Sequence, residues 1–270
     1  MEPASFSPTA RPYVQRAVEA AERDPRIVGL TLGGSAVAGG VDEYSDLDFV
    51  VVCRDEAQPA LLAEAEQFAR GLGSLLASFT GEHVGEPRLL VCLYGPPLMH
   101  VDLKFVALGE LRRRVEDGVV LWERGAGTLG RAMAASPASW PQPDLQWIED
   151  RFWVWVHYVA GKIGRGELFE CLDACAYFRS VVFGPLLAAR RGVRPQGVRR
   201  LERYAGDALP ELEATVGDHS REGCLRALRA SVGLYTRLRG EMDDGHLVRR
   251  ADAEAASREY VETIAGTPPG

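Results

Sequence analysis

Lysine is nearly missing from this 270-residue chain: of 31 basic side chains two are lysines, Lys104 and Lys162, and the other 29 are arginines. Basic excess is missing too, because 38 acidic residues leave a net charge of −7. Phosphate neutralisation dominates nucleic-acid affinity, so a chain without that footprint is not expected to bind nucleic acid. No sequence stretch approaches the roughly 20 apolar residues that cross a bilayer, and no membrane partner is expected. Residues 1–16 lack the positive segment followed by an apolar one that marks a signal peptide, which makes the cytoplasm the expected compartment. The five cysteines are odd in number and lie in apolar runs. Cys171 and Cys175 have i, i+4 spacing, but no second Cys or His pair accompanies them. Buried structural thiols fit better than zinc or a disulfide.

What is present divides into two regions. Residues 1–143 hold 13 basic and 19 acidic side chains, and residues 144–270 hold 18 and 19. The first region mixes patterns. A helix is predicted over 12–22 and strands over 27–32, 47–53, 88–93, 100–106 and 119–122. Helical periodicity covers 59–76 and a short charged helix covers 110–116. The run Leu47–Cys53 is almost continuously apolar and β-branched, as in a strand covered on both faces. Three prolines within 134–144 suggest a linker. Beyond it only helical segments can be drawn, at about 145–162, 167–190, 197–216, 220–240 and 249–264. The expected architecture is a mixed α/β (α+β) domain over 1–140 followed by an all-α helical bundle over 144–266.

The chemistry is concentrated in Leu32–Val52, LGGSAVAGGVDEYSDLDFVVV. Asp46 and Asp48, at i and i+2, point to one face of a strand. Two like charges on so apolar a strand are strongly unfavourable unless a cation sits between them. A divalent ion with hard oxygen ligands answers that need, and carboxylates select magnesium. Gly33 and Gly34 lack side chains, so their backbone can approach a bulky anion and their N–H groups can cradle phosphate oxygens. Ser35 adds a hydroxyl donor.

These residues resemble the signature of the DNA polymerase β-like nucleotidyltransferase superfamily. Its pattern is an apolar residue, Gly, Gly or Ser, nine to thirteen residues, then Asp, apolar, Asp or Glu, apolar. Leu32-Gly33-Gly34 and Asp46-Leu47-Asp48-Phe49 match it, and Val101-Asp102-Leu103 matches the third carboxylate on a later strand. The resemblance implies two magnesium ions held by Asp46 and Asp48, with Asp102 on the catalytic one. It places Gly34 and Ser35 on the triphosphate of ATP or another NTP.

By the same resemblance the helical domain supplies a lysine to the triphosphate, for which Lys162 is the candidate. It also supplies a carboxylate acting as general base, for which Glu167 is the candidate among Glu167, Glu170 and Asp173; Asp102 is the alternative base. A solvated acidic stripe is the competing reading of the three. Lys104, two residues from Asp102, is either a phosphate contact or a satisfied ion pair. His157 and Tyr158, in an aromatic run, are read as core side chains.

A catalytic domain this small with a helical bundle is similar to the aminoglycoside and lincosamide nucleotidyltransferases. The implied reaction is transfer of a nucleoside monophosphate, AMP by default, to a hydroxyl of a small-molecule acceptor. The acidic balance leans toward a polycationic acceptor such as an aminoglycoside. A protein-modifying, AMPylating antitoxin-like enzyme and a non-catalytic nucleotide-binding module are the alternatives.

Overall fold

A computed structural model describes residues 6–34, 37, 42 and 44–267. The chain divides into two compact units, Met1–Ser139 and Trp140–Gly270. The first is built on a six-stranded sheet. Its strands are β1 (Ile27–Leu32), β2 (Leu47–Cys53), β3 (Leu75–Gly81), β4 (Glu86–Tyr94), β5 (Met99–Ala107) and β6 (Val119–Glu123), in the spatial order β3-β4-β5-β2-β1-β6. Only β2 and β5 pair in parallel; the other neighbours are antiparallel. The apolar content of β2 is explained by its central place: Leu47, Phe49, Val51, Val52 and Cys53 are all buried. Helix α1 (Arg11–Arg23) turns Tyr13, Val14, Ala17 and Ala21 into the core on one face.

The helix read over 59–76 is wrong in its second half. Two short helices, α2 (Gln58–Ala63) and α3 (Ala65–Arg70), end at Gly71, and Leu75–Gly81 becomes strand β3. Leu75-Leu76-Ala77 has good helix propensity, but pairing with β4 from Leu75↔Tyr94 overrides it. The charged segment 110–116 is a 3-10 turn over Leu108–Arg113, and α4 (Thr128–Ala134), unforeseen, closes the unit.

The second unit is wholly helical: α5 (Leu145–Gly164), α6 (Leu168–Phe178), α7 (Gly184–Arg190), α8 (Leu201–Tyr204), α9 (Leu209–Ala214), α10 (Arg221–Met242) and α11 (Ala251–Gly266). The longest helices begin at side-chain caps. Asp144 accepts the Trp147 N–H at 2.9 Å, and Ser220 accepts the Gly223 N–H at 3.0 Å. Helices α6 and α7 join through a π-helical turn at Arg179–Phe183. The resulting run, Leu168–Arg190, is long and apolar enough by composition to cross a membrane, which the sequence reading did not credit; half of its most apolar window is buried in the unit. The helix drawn over 197–216 is broken into short pieces, with Gly197 and Gly206 in left-handed conformation.

The centre of this unit holds an acid. Glu149 is fully buried and accepts from Tyr235 Oη at 2.6 Å, Arg250 N at 2.9 Å, Trp153 Nε1 at 3.2 Å and Arg239 Nη1 at 3.1 Å. Burial alone would raise its pKa, but these donors and the Arg239 charge hold it below the usual carboxylate value. Cys53, Cys92, Cys171, Cys175 and Cys224 are all buried free thiols.

Candidate functional site

Strand register assembles the first part of the site. In the parallel β2–β5 pair, Asp48 lies directly opposite Asp102. Adjacent strands run about 4.8 Å apart, so two carboxylates at one register position are close neighbours. Asp46 precedes β2 by one residue, at the end of a turn in which the Asp42 carboxylate accepts from Tyr44 N at 3.0 Å and Ser45 Oγ at 2.8 Å. His100, on β5, stands with Nε2 3.0 Å from Asp102 Oδ1. That hydrogen bond, together with the charges of Asp102, Asp46 and Asp48, raises the imidazole pKa, so the three acids act on one imidazole.

The glycine turn comes against the same acids. Gly33 N donates to the Asp48 carbonyl at 2.8 Å, extending the β1–β2 pairing past Leu32↔Phe49. Gly34 then turns with φ of +60°, in the left-handed region. A Cβ at Gly34 would lie 1.8 Å from Asp48 Oδ2, so a side chain there would have to push the carboxylate aside. Conformation favours glycine here, and glycine lets the carboxylate approach closely. Ser35 lies outside the described residues.

One participant escaped the sequence reading. Glu116 accepts the Gly34 N–H through Oε1 at 3.1 Å. It sits 82 positions along the chain, at the end of the segment expected as a short charged helix over 110–116. Only the pairing of β6 beside β1, with Val119 opposite Leu32, carries it to the glycine turn.

These groups have the chemistry to hold magnesium: hard oxygen donors in register on neighbouring strands, beside backbone amides suited to phosphate. Among the described residues no three His, Cys or acidic side chains already converge as a metal-ligand group. Lys104 forms an ion pair with Glu86 at 2.6 Å, which Arg88 shares at 2.7 Å.

In the helical unit, the two candidates from sequence meet each other. Lys162 Nζ lies 2.5 Å from Glu167 Oε2 and 3.9 Å from Glu170 Oε1, and 5.1 Å from the centre of the Tyr158 ring. Tyr158 donates its hydroxyl to Glu170. The bond to Lys162 lowers the Glu167 pKa and raises that of Lys162. A carboxylate so stabilised is a weaker base. His157 and Tyr158 are exposed, correcting the expectation of core side chains; Phe152, Trp153, Val156 and Val159 are the buried face of that run.

No family model and no curated protein matches the sequence. Among solved structures, the chain is similar to an aminoglycoside 6-adenyltransferase from Bacillus subtilis. That match has 15% identity and a TM-score of 0.43, covering 94% of this chain and 98% of the other. A nucleotidyltransferase-like protein from Exiguobacterium sibiricum is similar at 13% identity and a TM-score of 0.38, covering 95% and 81%.

Proposed function

We propose that this chain is a metal-dependent nucleotidyltransferase that moves a nucleoside monophosphate, AMP from ATP, onto a hydroxyl of a small molecule. The observation that carries the reading is the seat of Gly34 against the Asp48 carboxylate, with Asp102 in register beside it. The β1–β2 hairpin brings the glycine turn to Asp48, and the separate parallel pairing with β5 brings the third motif carboxylate, Asp102, to the same place.

In this reading Asp46, Asp48 and Asp102 hold two magnesium ions. When bound, the ions stabilise negative charge on the attacking and leaving oxygens of phosphoryl transfer. The chain's own residues do the rest. Gly33 and Gly34, with Ser35, offer donors to the triphosphate, and Lys162 adds a cation to it. Asp102 or Glu167 accepts the proton of the acceptor hydroxyl. His100 orients Asp102 through the bond to Oδ1. Positioning and electrostatics supply most of the rate, since phosphoryl transfer leaves the protein little covalent work.

The acidic balance of the chain supports a cationic acceptor of the aminoglycoside kind, with lincosamides as the second class to test. Labelled ATP incubated with a panel of aminoglycosides, lincosamides and simple polyols should yield pyrophosphate and a labelled small molecule. Label on protein would favour the protein-modifying reading. Nucleotide binding without pyrophosphate release from any of the four NTPs would contradict catalysis.

A further inference from the structure

The Gly34 amide already has an anion on it. Glu116 Oε1 accepts that N–H at 3.1 Å and lies 3.0 Å from where a Cβ on Gly33 would stand, so both glycines make room for the carboxylate. The segment carrying Glu116 is fixed against β1. Val119 pairs with Leu32, and a side chain at Gly118 would meet Thr31 Oγ1 at 2.7 Å. The carboxylate is thus delivered to the glycine turn by sheet register, on a strap with little room to shift.

We infer that Glu116 occupies the place of a phosphate oxygen on the Gly34 amide and must be displaced when a triphosphate binds, so that this side chain sets nucleotide affinity. The inference rests on the nucleotidyltransferase reading above. Its physical basis is direct. One backbone N–H cannot serve both anions fully. A carboxylate left beside the incoming phosphates also repels them in a site that already contains Asp46, Asp48 and Asp102. Glu116 is a positioning residue in this account: it touches the donor that the substrate needs, and it competes with the substrate for it.

The test is equilibrium binding of a non-hydrolysable ATP analogue, inorganic tripolyphosphate and adenosine, each with Mg²⁺, to the full chain. E116Q keeps an oxygen that can accept from Gly34 but removes the charge; E116A removes both. Both variants are expected to bind the ATP analogue and tripolyphosphate about threefold to tenfold more tightly than the unaltered chain, with adenosine affinity unchanged. A scaffold role predicts the opposite for E116A, since the glycine turn would lose its support. Equal or weaker tripolyphosphate binding by E116Q overturns the inference, and E116Q decides the matter if E116A fails to fold. If the unaltered chain binds neither tripolyphosphate nor the ATP analogue, the nucleotidyltransferase reading itself falls. The two failures are therefore distinguishable.

Discussion

Glu149 and Asp48 are both acids set among apolar neighbours, and the two units of the chain treat them in opposite ways. Glu149 is fully buried and collects two aromatic side chains, a backbone N–H and the Arg239 guanidinium, which also reaches Glu254 at 2.8 Å. Asp48 is half-buried, faces a second carboxylate across the strand pair, and crowds a glycine whose conformation few other residues adopt. The first arrangement completes itself from within the chain. The second sets two carboxylates side by side in register, an arrangement that a bound cation would favour. On the proposed reading, that contrast separates a structural charge network from a candidate metal site.

The sharpest way to break the comparison is to remove one acid from each unit. Asp48→Ala should lower kcat for pyrophosphate release by about 10³-fold or more while leaving the melting temperature near or above that of the unaltered chain, because a like-charge contact is relieved. Glu149→Ala should do the reverse. Leaving Arg239 buried without this partner is expected to lower unfolding free energy by about 3–5 kcal/mol in urea titration. If Asp48→Ala destabilised the fold as much as Glu149→Ala, the distinction would collapse.

Much of this was legible beforehand. The run LDFVVVC announced a central strand, and the spacing from Gly34 to Asp46 and Asp48, with Asp102 between apolar residues, announced the acids. Periodicity could not announce β3, because Leu75-Leu76-Ala77 suits a helix until β4 is there to pair with it. Nor could it place Glu116, whose neighbour in space is 82 positions away. The Lys162–Glu167 pair escaped for a different reason. Helical spacing does not foretell how a helix ends, and here Glu167 N donates to the Lys162 carbonyl in the turn that ends α5, which brings the two side chains together.

Smaller effects sharpen the picture. Gly34→Ala forces a side chain into the left-handed region and onto Asp48 Oδ2. A stability loss of about 1–3 kcal/mol is expected, with a larger loss of nucleotide binding. Recovered stability in the Gly34→Ala, Asp48→Ala pair would show instead that the glycine serves only to clear the carboxylate.

The smallest effect concerns an ion pair on the sheet that takes no part in the proposed chemistry. The Arg88 hydrogen bond, helped by Lys104, holds the Glu86 carboxylate at about 2 against an ordinary 4.5. A depressed folded-state pKa means that its contribution is fully present above pH 4.5 and is lost as pH falls toward 2. Comparing Glu86→Gln with the unaltered chain should reveal a difference of about 1–2 kcal/mol at pH 7 that shrinks through that window. A constant difference across it would mean that packing, not charge, is what Glu86 contributes.

The most direct examination of the central claim is a crystal structure with a non-hydrolysable ATP analogue and Mg²⁺. The account predicts at least one divalent ion shared by the Asp48 and Asp102 carboxylates, with the triphosphate against the Gly33 and Gly34 amides. A nucleotide bound elsewhere, with those carboxylates turned away from its phosphates, would contradict it.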